Sequence, residues 1–275
     1  MIASIVSTSA RDVRGARPLV GRRLTWMPAL AAVAMAAAAC GTKEAADPLQ
    51  PSGPVGRVRF VNLVTDPSRN PVNALLEGLP FGVNLVYAAS TPASLPAPST
   101  AFYSAVLAGD RTIVLKKTAD TTVTVATLSV NIAANNDYTV YATGGTGGSA
   151  VTAFSTADAN TPPAAGQARI RVTNMSPAAG ALDVFITAPN ADLAAATPVA
   201  TGLANRSVFA GVTLAPGTYR IRTVPAGTAP AARAAAVNST LADDLVVAAG
   251  SGRTIVIADA AAGGTPLRSF ALRDQ

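Results

Sequence analysis

Two stretches of this chain nearly repeat each other: RVRFVNL at 57–63 and RIRVTNM at 169–175. Arg57, Arg59 and Asn62 match Arg169, Arg171 and Asn174. Four further blocks follow in the same order. PVNALL (71–76) answers ALDVFI (181–186), and LAGDRTIV (107–114) answers LAPGTYRI (214–221). DYTVYA (137–142) answers RTIVIA (253–258), and VTAFSTAD (151–158) answers LRSFALRD (267–274), with Phe154 opposite Phe270. The offsets lie between 107 and 116 residues, a drift that loop insertions explain. Ordered self-similarity of this kind marks a tandem duplication, so whatever fold the chain takes it must take twice, in units of roughly 100 residues.

The blocks read as strands. In TTVTVATLSV (121–130), Val123, Val125, Leu128 and Val130 are interleaved with polar residues, mostly at period two. Val58, Phe60 and Asn62 share one face of the first block, with Arg57 and Arg59 on the other. Glycine-bearing turns separate the blocks, and no helical stripe long enough for a crossover lies between them. Short strands at this spacing, about seven per copy, predict an all-β protein. The expected architecture is two tandem antiparallel β-sandwich domains, Ig-like or transthyretin-like, at 57–160 and 166–275. The Pro/Ala-rich stretch NTPPAAGQ (160–167) joins them.

What precedes the first copy is of another kind. Residues 1–23 are arginine-rich, and 24–39 (LTWMPALAAVAMAAAA) are apolar and uncharged, the layout of a cleaved signal peptide. The apolar run has 16 residues, short of the ~20 of a membrane-spanning helix. Ala37, Ala38 and Ala39 then precede Cys40, the only cysteine. This resembles the bacterial lipobox, although that pattern prefers Leu where Ala37 stands. The resemblance implies a lipidated Cys40 that anchors the chain to a membrane, with 40–56 as a flexible tether containing Pro48, Pro51 and Pro54. Gly41 and Thr42, rather than Asp, imply the outer membrane, facing periplasm or surface.

The residues of both copies resemble the bacterial domain-of-unknown-function family 4397: Arg-Val-Arg-Phe-Val-Asn, then Leu-Ala-x-Gly-x-Tyr-x-Ile, then Asp-Tyr-Thr-Val. The first copy departs from it at Asn62–Pro67; Asn174-Met175-Ser176-Pro177 in the second is closer. The resemblance implies an exported protein of tandem β domains and no assigned activity.

Charge and composition exclude several functions. Export of 1–39 removes five arginines and Asp12. That leaves 16 basic and 14 acidic residues, a net of +2 that gives nucleic-acid binding no global support. There is no histidine, so His bases, Ser–His and Cys–His dyads and the usual metal sites are absent; no cofactor is expected. The Gly144–Gly148 run lacks the Lys of a phosphate loop and reads as a turn. Asp243-Asp244 offers too few oxygens for Ca²⁺. The carboxylates Asp66, Glu77, Asp110, Asp120, Asp137 and Asp158 fall at turns and strand ends. Arg57/Arg59 and Arg169/Arg171 read as solvated strand faces that discourage sheet-to-sheet pairing.

The expected role is therefore non-catalytic: binding, adhesion or scaffolding at the cell envelope, with an envelope protein or a glycan as partner. The alternatives are a glycan hydrolase working through two carboxylates and an accessory subunit of an envelope complex. The candidate ligand patch is Phe81, Tyr87, Phe102 and Tyr103, four of the twelve aromatics left after export, in a segment stiffened by Pro80, Pro92, Pro96 and Pro98. Phe154 and Phe270 are expected to be buried near the last strand of each copy.

Overall fold

The computed structural model describes residues 52–92, 103–241 and 244–274, which belong to one compact unit, Glu44–Gln275. The signal segment, Cys40, most of the tether, Phe102 and Asp243 lie outside them. The protein is all-β, 56% strand and 3% helix.

Each copy contributes nine strands among the described residues. In the first these are β1 (Val55–Val64), β2 (Val72–Leu76), β3 (Leu79–Leu85), β4 (Ser90–Thr91), β5 (Ser104–Leu107), β6 (Gly109–Lys117), β7 (Asp120–Ile132), β8 (Asp137–Gly144) and β9 (Val151–Asp158). In the second they are β10 (Ala168–Asn174), β11 (Leu182–Thr187), β12 (Ala200–Leu203), β13 (Ser207–Leu214), β14 (Gly217–Pro225), β15 (Ser239–Thr240), β16 (Leu245–Val247), β17 (Gly252–Ala258) and β18 (Arg268–Arg273). The excess over seven comes from two-, three- and four-residue edge strands, too short to show any alternation.

The first sandwich packs sheet β3-β2-β6-β7 on sheet β4-β1-β8-β9, with β5 also on β1. The second repeats this with β12-β11-β14-β15 on β13-β10-β17-β18, and β16 on β14. Pairing is antiparallel except for one parallel pair in each copy, β1–β8 and β10–β17. These four central strands are buried along most of their length, as expected of strands covered on both faces.

Alternation assigns the two faces. Val58, Phe60 and Val64 point into the first core with Ile113, Leu115 and Val140, and Ile170, Val172 and Ile255 do so in the second. The opposite faces carry Val61, Leu63 and Tyr141 from the first copy and Met175, Val256, Ala258 and Leu272 from the second; these seven form one buried cluster. The central sheets of the two sandwiches therefore pack against each other through their outer faces. Full burial of each such aliphatic side chain stabilises by about 1.5–3 kcal/mol.

Asn62 and Asn174 explain why the repeat ends on asparagine. Both are fully buried. Asn62 donates to Asn70 Oδ1 and Leu85 O, each at 2.8 Å, and accepts from Val64 N at 3.1 Å. Asn174 donates to Gly180 O at 2.8 Å and Leu203 O at 2.9 Å, and accepts from Ser176 N at 3.2 Å. Each amide ties the end of the first strand to the end of the third.

Two of the matched blocks shift by one residue. Arg59 pairs with Thr139 and Arg171 with Thr254, so Asp137 corresponds to Gly252 and not to Arg253. Val106 faces Gly56 as Leu214 faces Ala168, so Val106, not Leu107, corresponds to Leu214. In a strand such a slip exchanges the two faces.

Candidate functional site

The outer faces of the central sheets bring four charges together. Arg59 and Arg171 sit at matching positions of β1 and β10; Asp158 ends β9 and Asp274 follows β18. Arg59 Nη2 lies 2.9 Å from Asp274 Oδ1 and 3.6 Å from Asp158 Oδ2. Arg171 lies 3.1 Å from Asp274 Oδ2 and 3.4 Å from Asp158 Oδ1. Each guanidinium thus bridges both carboxylates, one from its own copy and one from the other. All four side chains are at most 3% exposed.

Neighbouring hydroxyls complete the cluster. Thr139 donates to Asp158, and Thr254 donates to Asp274 at 2.8 Å. Arg59 Nε donates to Thr139 Oγ1 at 2.7 Å, and Arg171 Nε to Thr254 Oγ1 at 3.2 Å. Arg59 also donates to Arg273 O at 3.0 Å. Burial works against the Arg59 charge, but Tyr103, Asp274 and Asp158 more than offset it and hold its pKa above the ordinary value. Arg171 is raised likewise, burial being outweighed by Asp274 and Asp158. An arginine buried in this way must be paired.

The arginines expected on solvated faces are therefore corrected: Arg59 and Arg171 are enclosed between the sandwiches, because each finds its counter-charges in both copies. Asp158, expected at a turn or strand end, does end β9 and is buried with them. Phe154 and Phe270 do lie in β9 and β18 but are half-buried, facing the other sandwich rather than their own core. Phe154 stacks on Tyr141 with centroids 5.8 Å apart.

The proposed aromatic patch does not form one exposed surface. Phe81 belongs to the first core. Tyr103 is 7% exposed; its hydroxyl donates to Asp158 at 2.9 Å, and the Arg59 guanidinium lies 4.6 Å from its ring centre. Tyr87 reaches the second sandwich, donating to Asp259 O with Arg268 5.8 Å from its ring centre. Burial raises the pKa of the Tyr87 hydroxyl to about 12 and that of Tyr103 further. Both rings seal the seam, where an apolar body and a polar tip are satisfied together.

A cleft of about 670 Å³ opens beside the seam, lined by Arg57, Asn135, Asn136, Asp137, Asn160 and Thr161, together with Val55, Asp158, Ala159 and Pro162. Arg57 is gripped by Asp137 through two hydrogen bonds, Nε–Oδ1 at 2.7 Å and Nη2–Oδ2 at 2.6 Å, yet its side chain remains 54% exposed. The hydrogen bond to Asp137 raises its pKa against the opposing effect of burial. Asn160 donates to the same carboxylate at 2.6 Å. Asn135, Asn136 and Asp137 correspond to Gly250, Ser251 and Gly252 of the second copy, whereas Arg57 corresponds to Arg169.

A second cleft, about 490 Å³, lies between β15, β16 and β18, where the first copy has the continuous strand β7. Asp244 there is held by Arg220 at 2.7 and 3.0 Å, and these hydrogen bonds keep its carboxyl below the usual range. Of the other carboxylates, Asp66 caps a turn through Ser68 N and Arg69, and Asp120 through Thr122.

Residues 56–185 match the family model described as domain of unknown function (DUF4397). The match spans the first sandwich and runs into β11 of the second. No curated protein matches the chain. Among solved structures, CBMbc (family CBM26) from Eubacterium rectale Amy13K, in complex with maltoheptaose, is 9% identical and covers 78% of this chain and 95% of its own, at a TM-score of 0.23. A leucine-rich repeat protein from Bacteroides thetaiotaomicron is 13% identical and covers 78% of this chain and 26% of its own, at a TM-score of 0.16. Scores this low describe no shared arrangement of the whole chain.

Proposed function

We propose that this protein, which carries a DUF4397 domain over residues 56–185, is a lipid-anchored, non-catalytic binding module of the bacterial cell envelope. Its tether holds the double sandwich off the membrane, at the outer membrane where the cell has one. The cleft beside the seam is its binding surface, and the ligand class is a hydroxyl-rich glycan.

The observation that carries this reading is the fixed guanidinium of Arg57. Its doubly hydrogen-bonded contact with Asp137 orients it before any ligand arrives, while more than half of its side chain stays open to solvent. Asn135, Asn136 and Thr161 stand exposed around it. Amides, a hydroxyl and an oriented guanidinium offer both donors and acceptors to vicinal hydroxyls, and an ordered site loses little entropy on binding. The hydrolase alternative is weakened by the state of the carboxylates. Asp158 borders the cleft, but its side chain is 3% exposed and that of Asp274 1%, and each contacts two arginines, whereas a glycosidase needs its pair open on either side of the scissile bond.

Retention on immobilised envelope polysaccharides tests the reading. The mature protein should be retained, and Arg57→Ala should weaken retention about tenfold, the loss of roughly 1.4 kcal/mol, with a melting temperature lowered by no more than a few degrees. Equal retention of both proteins, or none of either, contradicts it.

A further inference from the structure

The two copies differ at one sheet edge, and the duplication makes the first copy a control for the second. In the first, β7 lies alongside β9, the edge strand of the facing sheet. In the second, the corresponding strand is divided into β15 and β16, and the cleft of about 490 Å³ opens between them and β18. Leu241, Leu245, Leu267 and Ala271 give its wall apolar surface, and Val246 beside them is 69% exposed. The wall formed by β18 is a strand with one free edge: its partner in the ladder is β17, with Arg253 opposite Arg273 and Ala258 opposite Arg268. Asp274 N donates to Gly252 O at 3.0 Å, which sets the phase of that ladder. Arg268, Phe270 and Leu272 then hydrogen-bond to β17, whereas Ser269 and Ala271 turn their N–H and C=O groups away from it. Both of these residues line the cleft, and among the described residues nothing meets those outward backbone groups.

Unpaired N–H and C=O groups along a strand are a template for one kind of ligand, another extended backbone. We infer that the cleft of the second sandwich is a peptide-docking site, in which an extended segment of a partner protein adds as a strand to β18. The side chains define the chemistry of that segment. Those level with Ser269 and Ala271 enter the cleft beside Leu241 and Leu245, so they are aliphatic. Those between them stand on the other face with Phe270 and Arg268. Arg268 is exposed, lies 5.8 Å from the ring centre of Tyr87 and forms no ion pair among the described residues, so an acidic side chain fits there. The one carboxylate of the cleft wall, Asp244, already has its counter-charge in Arg220. The segment is therefore an alternation of aliphatic and acidic residues. The site is separate from the cleft that holds Arg57.

Short peptides selected on the mature protein from a random phage-displayed library test this. The selected sequences should carry Val, Ile or Leu at alternate positions, with Asp or Glu between them. Ala271→Pro removes an N–H that points away from β17, so the ladder is kept while the free edge is blocked. It should weaken binding of a selected peptide about tenfold or more and leave glycan retention unchanged. Should that variant fail to fold, N-methylated peptides give the answer on the native protein. Methylation of one alternate set of peptide nitrogens should abolish binding, and methylation of the other set should be tolerated, because only one set faces β18. A library that yields no binder, binding that Ala271→Pro leaves intact, or an equal effect of the two methylated sets overturns the proposal.

Discussion

Arg59 lies 2.9 Å from Asp274, although one is in the third position of the first repeat block and the other ends the last. The contact crosses the seam between the sandwiches and is matched by Arg171 with Asp158 at 3.4 Å. Two positive and two negative side chains, almost fully enclosed, make the seam neutral as a set and intolerant of losing any one member. Truncating one partner of such a cluster leaves a buried charge uncompensated.

Arg59→Ala and Arg171→Ala are accordingly expected to cost about 3–5 kcal/mol each. Arg57→Ala, on a side chain 54% exposed, should stay within about 1 kcal/mol. Urea unfolding followed by circular dichroism measures all three. Similar costs for Arg57 and Arg59 would show that the seam is not closed.

The buried asparagines make a prediction of their own. Asn62→Ala and Asn174→Ala each remove an amide that satisfies backbone groups at both ends of a loop. Each should cost about 1–3 kcal/mol, with the two values close because the sites are equivalent. A cost near zero at either position contradicts the assignment.

Much of this fold was legible in the sequence, and the limits have physical causes. The duplication and the period-two alternation identified strands and sandwiches from local pattern alone. The register of two blocks slipped by one residue because TVYA and TIVIA align almost equally well either way, and only backbone pairing decides. The seam was missed because an arginine alternating with valine looks the same whether it faces water or a distant carboxylate. Recurrence alone does not separate them: Arg57 and Arg169 recur in both copies as Arg59 and Arg171 do, yet Arg57 is 54% exposed. The aromatic patch failed for the related reason that Tyr87 and Tyr103 have partners far off in sequence.

Replacing Tyr87 and Tyr103 together by Ala is expected to lower the melting temperature and loosen the seam. Calorimetry should show a broadened or split transition where the native protein unfolds as one. An unchanged melting temperature would mean that the rings do not seal the interface.

The tyrosines also set an alkaline limit. Burial raises the Tyr87 and Tyr141 hydroxyls to about 12, above the ~10 of an unfolded tyrosine. A pKa raised in the folded state means that the contribution is fully present below pH ~10 and is lost as pH rises through about 12. Unfolding should therefore steepen between those values, with tyrosinate absorbance appearing together with loss of structure. Tyr87→Phe and Tyr141→Phe should each soften that loss; an alkaline limit unchanged in both contradicts it.

Cys40→Ser is expected to move the protein from the membrane fraction to the soluble exported fraction. Mass spectrometry of the native N-terminus should find an acylated Cys40. An unmodified cysteine, or an uncleaved 1–39 segment, contradicts anchoring.

The double-mutant cycle of Arg59→Leu and Asp274→Leu tests the central claim most directly, since it joins the two copies through one pair of side chains. A closed charge cluster across the seam predicts that each single change is severe and that the pair is far less damaging than their sum. The expected coupling is about 1–3 kcal/mol. Costs that simply add, within about 0.5 kcal/mol, would mean that the two residues do not meet.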